Sequence, residues 1–134
     1  VKAIVLRKTA GPPDARLEEF PEADLMEGAL QVRVSHSTLN YKDGLAIVRG
    51  APVVRRWPMI PGVDLAGIVE HSDSPEWHEG DAVVVNGWGM GESHFGAYAE
   101  RARIPAEWAI ALPQGMSPAQ SMAIGTAGYT AMLC

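Results

Sequence analysis

Cysteine is nearly absent from this chain. The only one is Cys134, which excludes an internal disulfide framework and any Cys-x-x-Cys zinc or redox motif. Histidine is also sparse: residues 36, 71, 78 and 94 are scattered without metal-ligand spacing, so no metal is expected. Basic residues are in deficit, 11 Lys and Arg against 16 Asp and Glu. The resulting net charge of −5 argues against nucleic acid or an anionic membrane as partner. No apolar run approaches the length of a membrane span, and the apolar part of residues 1–7 is too short for a signal peptide. A cytoplasmic protein is therefore expected. Two catalytic signatures are missing as well. No Gly-x-Ser-x-Gly occurs, and Gly87-x-Gly89-x-Gly91 lacks the strand–turn–helix setting of a dinucleotide fingerprint, so it reads as a shaped loop. The small residues of Gly125-Thr126-Ala127-Gly128 suit close helix packing.

What is present is a core-forming chain of 134 residues, 47% apolar, enough for one domain. Residues 2–7 read as a strand, Gly11-Pro12-Pro13-Asp14 as a turn, and residues 15–20 as a strand pairing back. Leu30, Val32, Val34 and His36 alternate with Gln31, Arg33 and Ser35, the pattern of a half-buried strand. On that pattern His36 falls on the apolar face as a core histidine. A short helix is predicted over 41–48, closed by Gly50, and residues 51–57 form a loop carrying Arg55 and Arg56. Strands are expected at 63–70, 82–85, 97–104 and 108–112, with His71 and His78 solvated between the first two. Short strands at this spacing with Gly and Pro punctuation predict a mainly β barrel or sandwich. At Ser117-Pro118-Ala119-Gln120 a capping box with Pro at the first helical position begins one or two helices, interrupted near Gly125. The chain opens on Val and stops within a helical pattern at Cys134, so a fragment of a longer protein is the expectation.

The stretch around which the rest is arranged is residues 57–70. Pro61-Gly62 turns the chain into an apolar strand that carries one acid, Asp64, near its start. A buried carboxylate needs hydrogen-bond donors or a charge partner. The best candidate partner is Asn40-Tyr41-Lys42-Asp43, and the two stretches are read as two walls of one site. Asn40 and Asp43 are equally well read as turn formers, while the Tyr41 hydroxyl is suited to placing a hydrogen bond or proton on a ligand. Residue chemistry alone leaves both readings open.

Four stretches then carry a resemblance: Leu39-Asn40-Tyr41-Lys42-Asp43, Pro58-Met59-Ile60-Pro61-Gly62-Val63-Asp64-Leu65-Ala66-Gly67, Gly87-Trp88-Gly89-Met90-Gly91-Glu92, and the run from Ile124-Gly125-Thr126-Ala127-Gly128 to Cys134. In this order, across essentially the whole chain, they resemble the medium-chain dehydrogenase/reductase superfamily. The nearest likeness is its zinc-independent quinone oxidoreductase branch, which includes NADPH-dependent acryloyl-CoA reductases. The resemblance implies a GroES-like β-barrel catalytic domain over 1–117. Residues 118–134 would be the helical lead-in to a Rossmann α/β cofactor domain. In zinc-dependent relatives a catalytic Cys lies where Asn40 stands and a catalytic His where Val63 stands. The structural-zinc lobe that would follow Gly80-Asp81-Ala82-Val83 is missing too, so the resemblance also implies that no metal is used.

The implied reaction is hydride transfer from NADPH to the β-carbon of an activated alkene, then protonation of the neighbouring carbon. Tyr41 would contact NADPH and orient substrate or relay a proton, Asn40 would line the same wall, and Thr126 would touch the nicotinamide end. Asp43 and Asp64 would brace the site. Arg55 and Arg56 would meet the phosphates of a CoA thioester, with two solvated loop arginines as the alternative. Trp88 would be an apolar wall of the pocket or a buried structural indole. The expected partner is a small-molecule enoyl thioester, with a quinone or other enone as the alternative, in a homodimeric parent. A non-catalytic β-barrel binding module is the third reading. Residues 1–134 alone are expected neither to bind NADPH tightly nor to turn over.

Overall fold

A computed structural model describes residues 1–134. Strands β1 (Lys2–Arg7) and β2 (Asp14–Glu19) form an antiparallel hairpin. The main sheet has five strands in the order β6-β3-β4-β5-β7: β3 (Leu30–Ser37), β4 (Asp64–Ser72), β5 (Ala82–Asn86), β6 (Arg101–Ile104) and β7 (Ile110–Ala111), all paired antiparallel. Two helices complete the chain, α1 (Tyr41–Arg49) between β3 and β4, and α2 (Pro118–Leu133) at the end. The architecture is mainly β, as the strand spacing predicts. No helix is long and apolar enough to cross a membrane.

Strand β4 is central, and both of its faces are covered. Leu65 and Val69 point into the largest core cluster with Leu30, Val32, Val83, Val85, Met90 and Ile104. One residue out of phase, Ala66 packs with Val84 of β5 and Met122 of α2. Burial on both faces explains why residues 63–69 read as a continuous apolar run rather than an alternation. Gly67 is required where β4 passes β3, because a Cβ there would collide with the Arg33 carbonyl oxygen.

Three expectations change. His36 is exposed and its Nδ1 lies 3.1 Å from the Ser35 hydroxyl. The β3–β4 register shifts between Val34 and His36, and such a bulge reverses the side-chain alternation that placed His36 inside. The strand over 97–104 is reduced to Arg101–Ile104. Residues 96–98 instead lie across the Pro61-Gly62 turn, where their N–H groups donate to the carbonyls of Ile60 (2.6 Å), Gly62 (3.2 Å) and Pro61 (2.9 Å). Trp108 closes a 3-10 turn over Ala106–Trp108, leaving only Ile110–Ala111 as strand.

Helix α2 begins where its capping box predicts. The Ser117 hydroxyl accepts the Gln120 N–H, and the Gln120 side chain accepts the Ser117 N–H. Its single non-helical residue is Gly125, at φ 51° and ψ −164°. That region is open essentially to glycine alone, and the resulting kink turns the second half of α2 toward the start of β4.

Candidate functional site

The site is built on the Asp64 carboxylate, which is fully buried. Oδ2 accepts hydrogen bonds from the Thr38 hydroxyl (2.7 Å), the Asn40 side-chain amide (2.9 Å) and the Thr126 N–H (3.1 Å). Oδ1 accepts the Thr126 hydroxyl. Donors from the β3–α1 connection and from the kink of α2 therefore converge on one carboxylate in β4. Neutral donors alone solvate this charge in place of water, as burial demands. Gly125 makes the approach possible: a Cβ there would sit 2.8 Å from Thr38 Cγ2 and 3.2 Å from Asp64 Oδ2.

Asp43, the other buried acid, fastens α1 to the turn before β4. Its Oδ2 accepts the Asn40 N–H (2.9 Å), the acid half of a capping arrangement, and its Oδ1 accepts the Gly62 N–H (3.0 Å). Burial pushes the Asp43 carboxyl above its usual range, against the two backbone N–H groups that pull it down. Nearby, the Tyr98 hydroxyl donates to the Thr38 carbonyl at 2.7 Å. Burial, reinforced by the charge of Asp43, raises this phenol well above the ordinary tyrosine range, so it remains a proton-bearing donor.

Beside the Asp64 junction lies a cleft of about 500 Å³, lined by residues that include Asn86, Trp88, Trp108, Ile110, Thr126 and Tyr129, none of them charged. The Trp88 indole stacks on Trp108 with centroids 5.9 Å apart and planes 8° from parallel. His94 meets Trp108 edge-on, and its Nε2 lies 2.7 Å from the Arg103 carbonyl oxygen. Trp88 is 58% exposed and is the one non-glycine residue with positive φ, 57°. It is thus an apolar wall of the cleft and not a buried indole. The reading of 87–91 as a shaped loop is matched by the geometry: Gly87, Gly89 and Gly91 all have positive φ, and hydrogen-bonded turns rather than a helix follow.

Among the residues singled out from sequence, Asn40, Asp64 and Thr126 meet directly, and Trp88 shares the cleft with Thr126. Tyr41 is 83% exposed and lines an adjacent hollow with Leu39, Asn40, Leu45 and Val48. Arg55 is engaged at 3.0 Å by Glu92, which also holds Lys42 at 3.0 Å. Arg56 forms no ion pair; with burial as the larger cause, its charge helps hold the His94 ring below its ordinary value. Nothing in the sequence pattern points to Thr38, Asn86 or Tyr129, which the fold brings to the site. Tyr129 lies one helical turn beyond Thr126, a spacing that places both on one side of α2. No group of three or more His, Cys, Asp or Glu side chains is placed to hold a metal.

Comparison with known proteins bears on the family and the fold. The family described as "Alcohol dehydrogenase GroES-like domain" matches residues 26–114. The acrylyl-CoA reductase AcuI of Ruegeria pomeroyi is 45% identical over 133 residues, covering 98% of this chain and 40% of that protein. The crystal structure of the YhdH oxidoreductase of Salmonella enterica in complex with NADP superposes with a TM-score of 0.96 at 46% identity, over 100% of this chain and 41% of its own. The quinone oxidoreductase of Thermus thermophilus, also solved in complex with NADPH, gives a TM-score of 0.70 at 28% identity, over 99% and 39%. The chain thus spans about 40% of the length of the AcuI relative it matches.

Proposed function

The chain belongs to the alcohol dehydrogenase GroES-like domain family, and on that premise we propose that it is the catalytic part of an NADPH-dependent reductase of activated C=C bonds. The leading substrate is an enoyl thioester, acryloyl-CoA, reduced to propionyl-CoA. In this reading residues 1–117 are the catalytic domain and 118–134 lead into a nucleotide-binding domain. The similarity to AcuI supports the substrate, and the NADP in the YhdH complex supports the cofactor. The observation that carries the proposal is the convergence of Asn40 and Thr126 on Asp64 beside an uncharged aromatic cleft.

The residues fit one end of the cofactor. An uncharged space beside Thr126, walled by indole rings, suits a nicotinamide ring, whereas the glycine loop 87–91 leads into turns and offers no strand–helix seat for a pyrophosphate. Bound NADPH supplies the hydride. The chain's own part is to hold the alkene in register, exclude water and manage the proton. Trp88, Trp108 and Ile110 provide the apolar walls. Asn40 and Thr126 are the proposed cofactor contacts, set by Asp64, while Asp43 braces the wall behind them. Tyr41, exposed at the first turn of α1, is a third proposed cofactor contact and the proton relay. With Arg55 held by Glu92, a role in binding CoA phosphate falls first to Arg56. No metal takes part in this scheme, and the parent is a cytoplasmic homodimer acting on small molecules, without nucleic acid or membrane as partner.

Reduction of quinones or other enones is the second reading, favoured by the aromatic lining of the cleft and the likeness to the Thermus quinone oxidoreductase. The test follows NADPH oxidation by the full-length protein with acryloyl-CoA and with a simple quinone, for wild type and Tyr41→Phe. Preferred turnover of the thioester, lowered about tenfold or more in the variant, is expected. Preference for the quinone would promote the second reading, and no oxidation with either would overturn both.

A further inference from the structure

Tyr98 is a partly buried phenol to which the proposed reaction gives no task. Its backbone is fixed on both sides: the N–H donates to the Pro61 carbonyl at 2.9 Å, and the carbonyl accepts the Ile4 N–H of β1 at 2.8 Å. The ring packs on the cluster of Ala3, Val5, Phe20, Leu25 and Ile60. It also passes close to Gly62, where a Cβ would lie 2.9 Å from its Cδ1. From this fixed ring the hydroxyl reaches the Thr38 carbonyl at 2.7 Å, a carbonyl that accepts no backbone N–H. The Thr38 hydroxyl in turn donates to Asp64 Oδ2 at 2.7 Å and accepts from the Asn40 side-chain amide at 2.8 Å. The same Asn40 nitrogen donates to Asp64 Oδ2 at 2.9 Å. The orientation of the Asn40 carboxamide therefore depends on where Thr38 stands, and Tyr98 holds Thr38 by its carbonyl.

We propose that Tyr98 is a positioning residue for the cofactor contact at Asn40, acting through the Thr38 carbonyl. This assignment rests on the reductase reading. Phenylalanine in its place would keep the packing and both backbone bonds, so the hydroxyl's contribution is confined to one carbonyl. Its loss leaves that carbonyl without a donor and frees the 38–40 connection to shift, carrying the Thr38 hydroxyl and the Asn40 amide with it. The cofactor would then have to order Asn40 itself, and that cost is drawn from its binding. Once the cofactor is bound the wall is restored, so the step that follows is unaffected. Burial and the charge of Asp43 keep the phenol protonated, which makes it a standing donor and not a proton relay.

The test uses the full-length protein. In Tyr98→Phe the dissociation constant for NADPH, read by nucleotide fluorescence, and the KM for NADPH should both rise about tenfold, as one hydrogen bond predicts, with kcat at saturating NADPH unchanged. Ser72→Ala removes a hydroxyl bonded to the Ser74 carbonyl at the far end of β4, and it should leave both constants unchanged. By NMR without cofactor, the side-chain amide protons of Asn40 should exchange with water faster in Tyr98→Phe than in wild type. Equal exchange rates in a folded Tyr98→Phe protein would overturn the assignment, as would a lowered kcat with unchanged NADPH constants. If that variant does not fold, wild type decides: Asn40 side-chain amide signals that stay in place as NADPH saturates the protein would also overturn it. A wild type that binds no NADPH, with Asn40 exchange quickened in Tyr98→Phe, would uphold the positioning by Tyr98 and remove the reductase reading.

Discussion

Asp43 and Asp64 are both buried acids within reach of the Pro61-Gly62 turn, yet they organise the molecule differently. Asp43 takes backbone N–H groups from Asn40 and Gly62, so it joins the start of α1 to the turn before β4. Asp64 takes a hydroxyl and an amide from residues 38–40 and both a hydroxyl and an N–H from Thr126, 62 residues away. The first is a brace within one wall. The second is a junction of three segments, with the cleft beside it. Buried charge alone does not separate a brace from a junction; the sequence distance and identity of the donors do.

The largest effect should come from the junction. Asp64→Asn replaces one acceptor oxygen by an NH2 facing existing donors, and unfolding in urea should show a loss of about 3 kcal/mol. A loss below that of the matching change at Asp43 would reverse the comparison. Gly125→Ala leaves the carboxylate intact but forces a Cβ against Thr38 and Asp64 in a glycine-only backbone region. It should cost about 1–3 kcal/mol, and amide exchange should quicken at Thr126 before it does in the barrel.

Asp43→Asn should cost less, about 1–2 kcal/mol, since only one of two backbone N–H groups keeps an acceptor. It also sharpens the comparison through pH. Because burial raises the Asp43 carboxyl in the folded state, the folded chain binds this proton more tightly than the unfolded chain does. Its contribution to stability is therefore full below the unfolded value of about 4 and declines as pH rises through the raised folded value. The stability gap between wild type and Asp43→Asn should narrow from about pH 3.5 to pH 7. A gap that widens over this interval would contradict the burial account.

Much of the junction is legible in sequence because its parts are local. An apolar run after Pro61-Gly62 predicts β4, and the lone acid within it predicts a need for partners. Ser117-Pro118-Ala119-Gln120 sets the start of α2, and Gly125 marks its interruption. The partners themselves depend on tertiary approach. Thr126 reads as helix packing until the kink turns its N–H onto Asp64, and Thr38 and Asn86 resemble ordinary residues at strand ends. Periodicity puts His36 on the wrong face because a bulge costs one residue of register, which the pattern cannot show. The strand pattern over 97–104 runs longer than the strand itself because residues 96–98 spend their N–H groups on the Pro61-Gly62 turn.

The central claim is that Asp64 couples Asn40 on one wall to Thr126 on the other. A double-mutant cycle of Asn40→Ala and Thr126→Ala, read by urea unfolding, tests this most directly. Both donors converge on the same carboxylate, so removing one should change the cost of removing the other, with a coupling of about 1 kcal/mol or more. If the two losses simply add, within about 0.3 kcal/mol, the walls are independent and Asp64 is not the junction described.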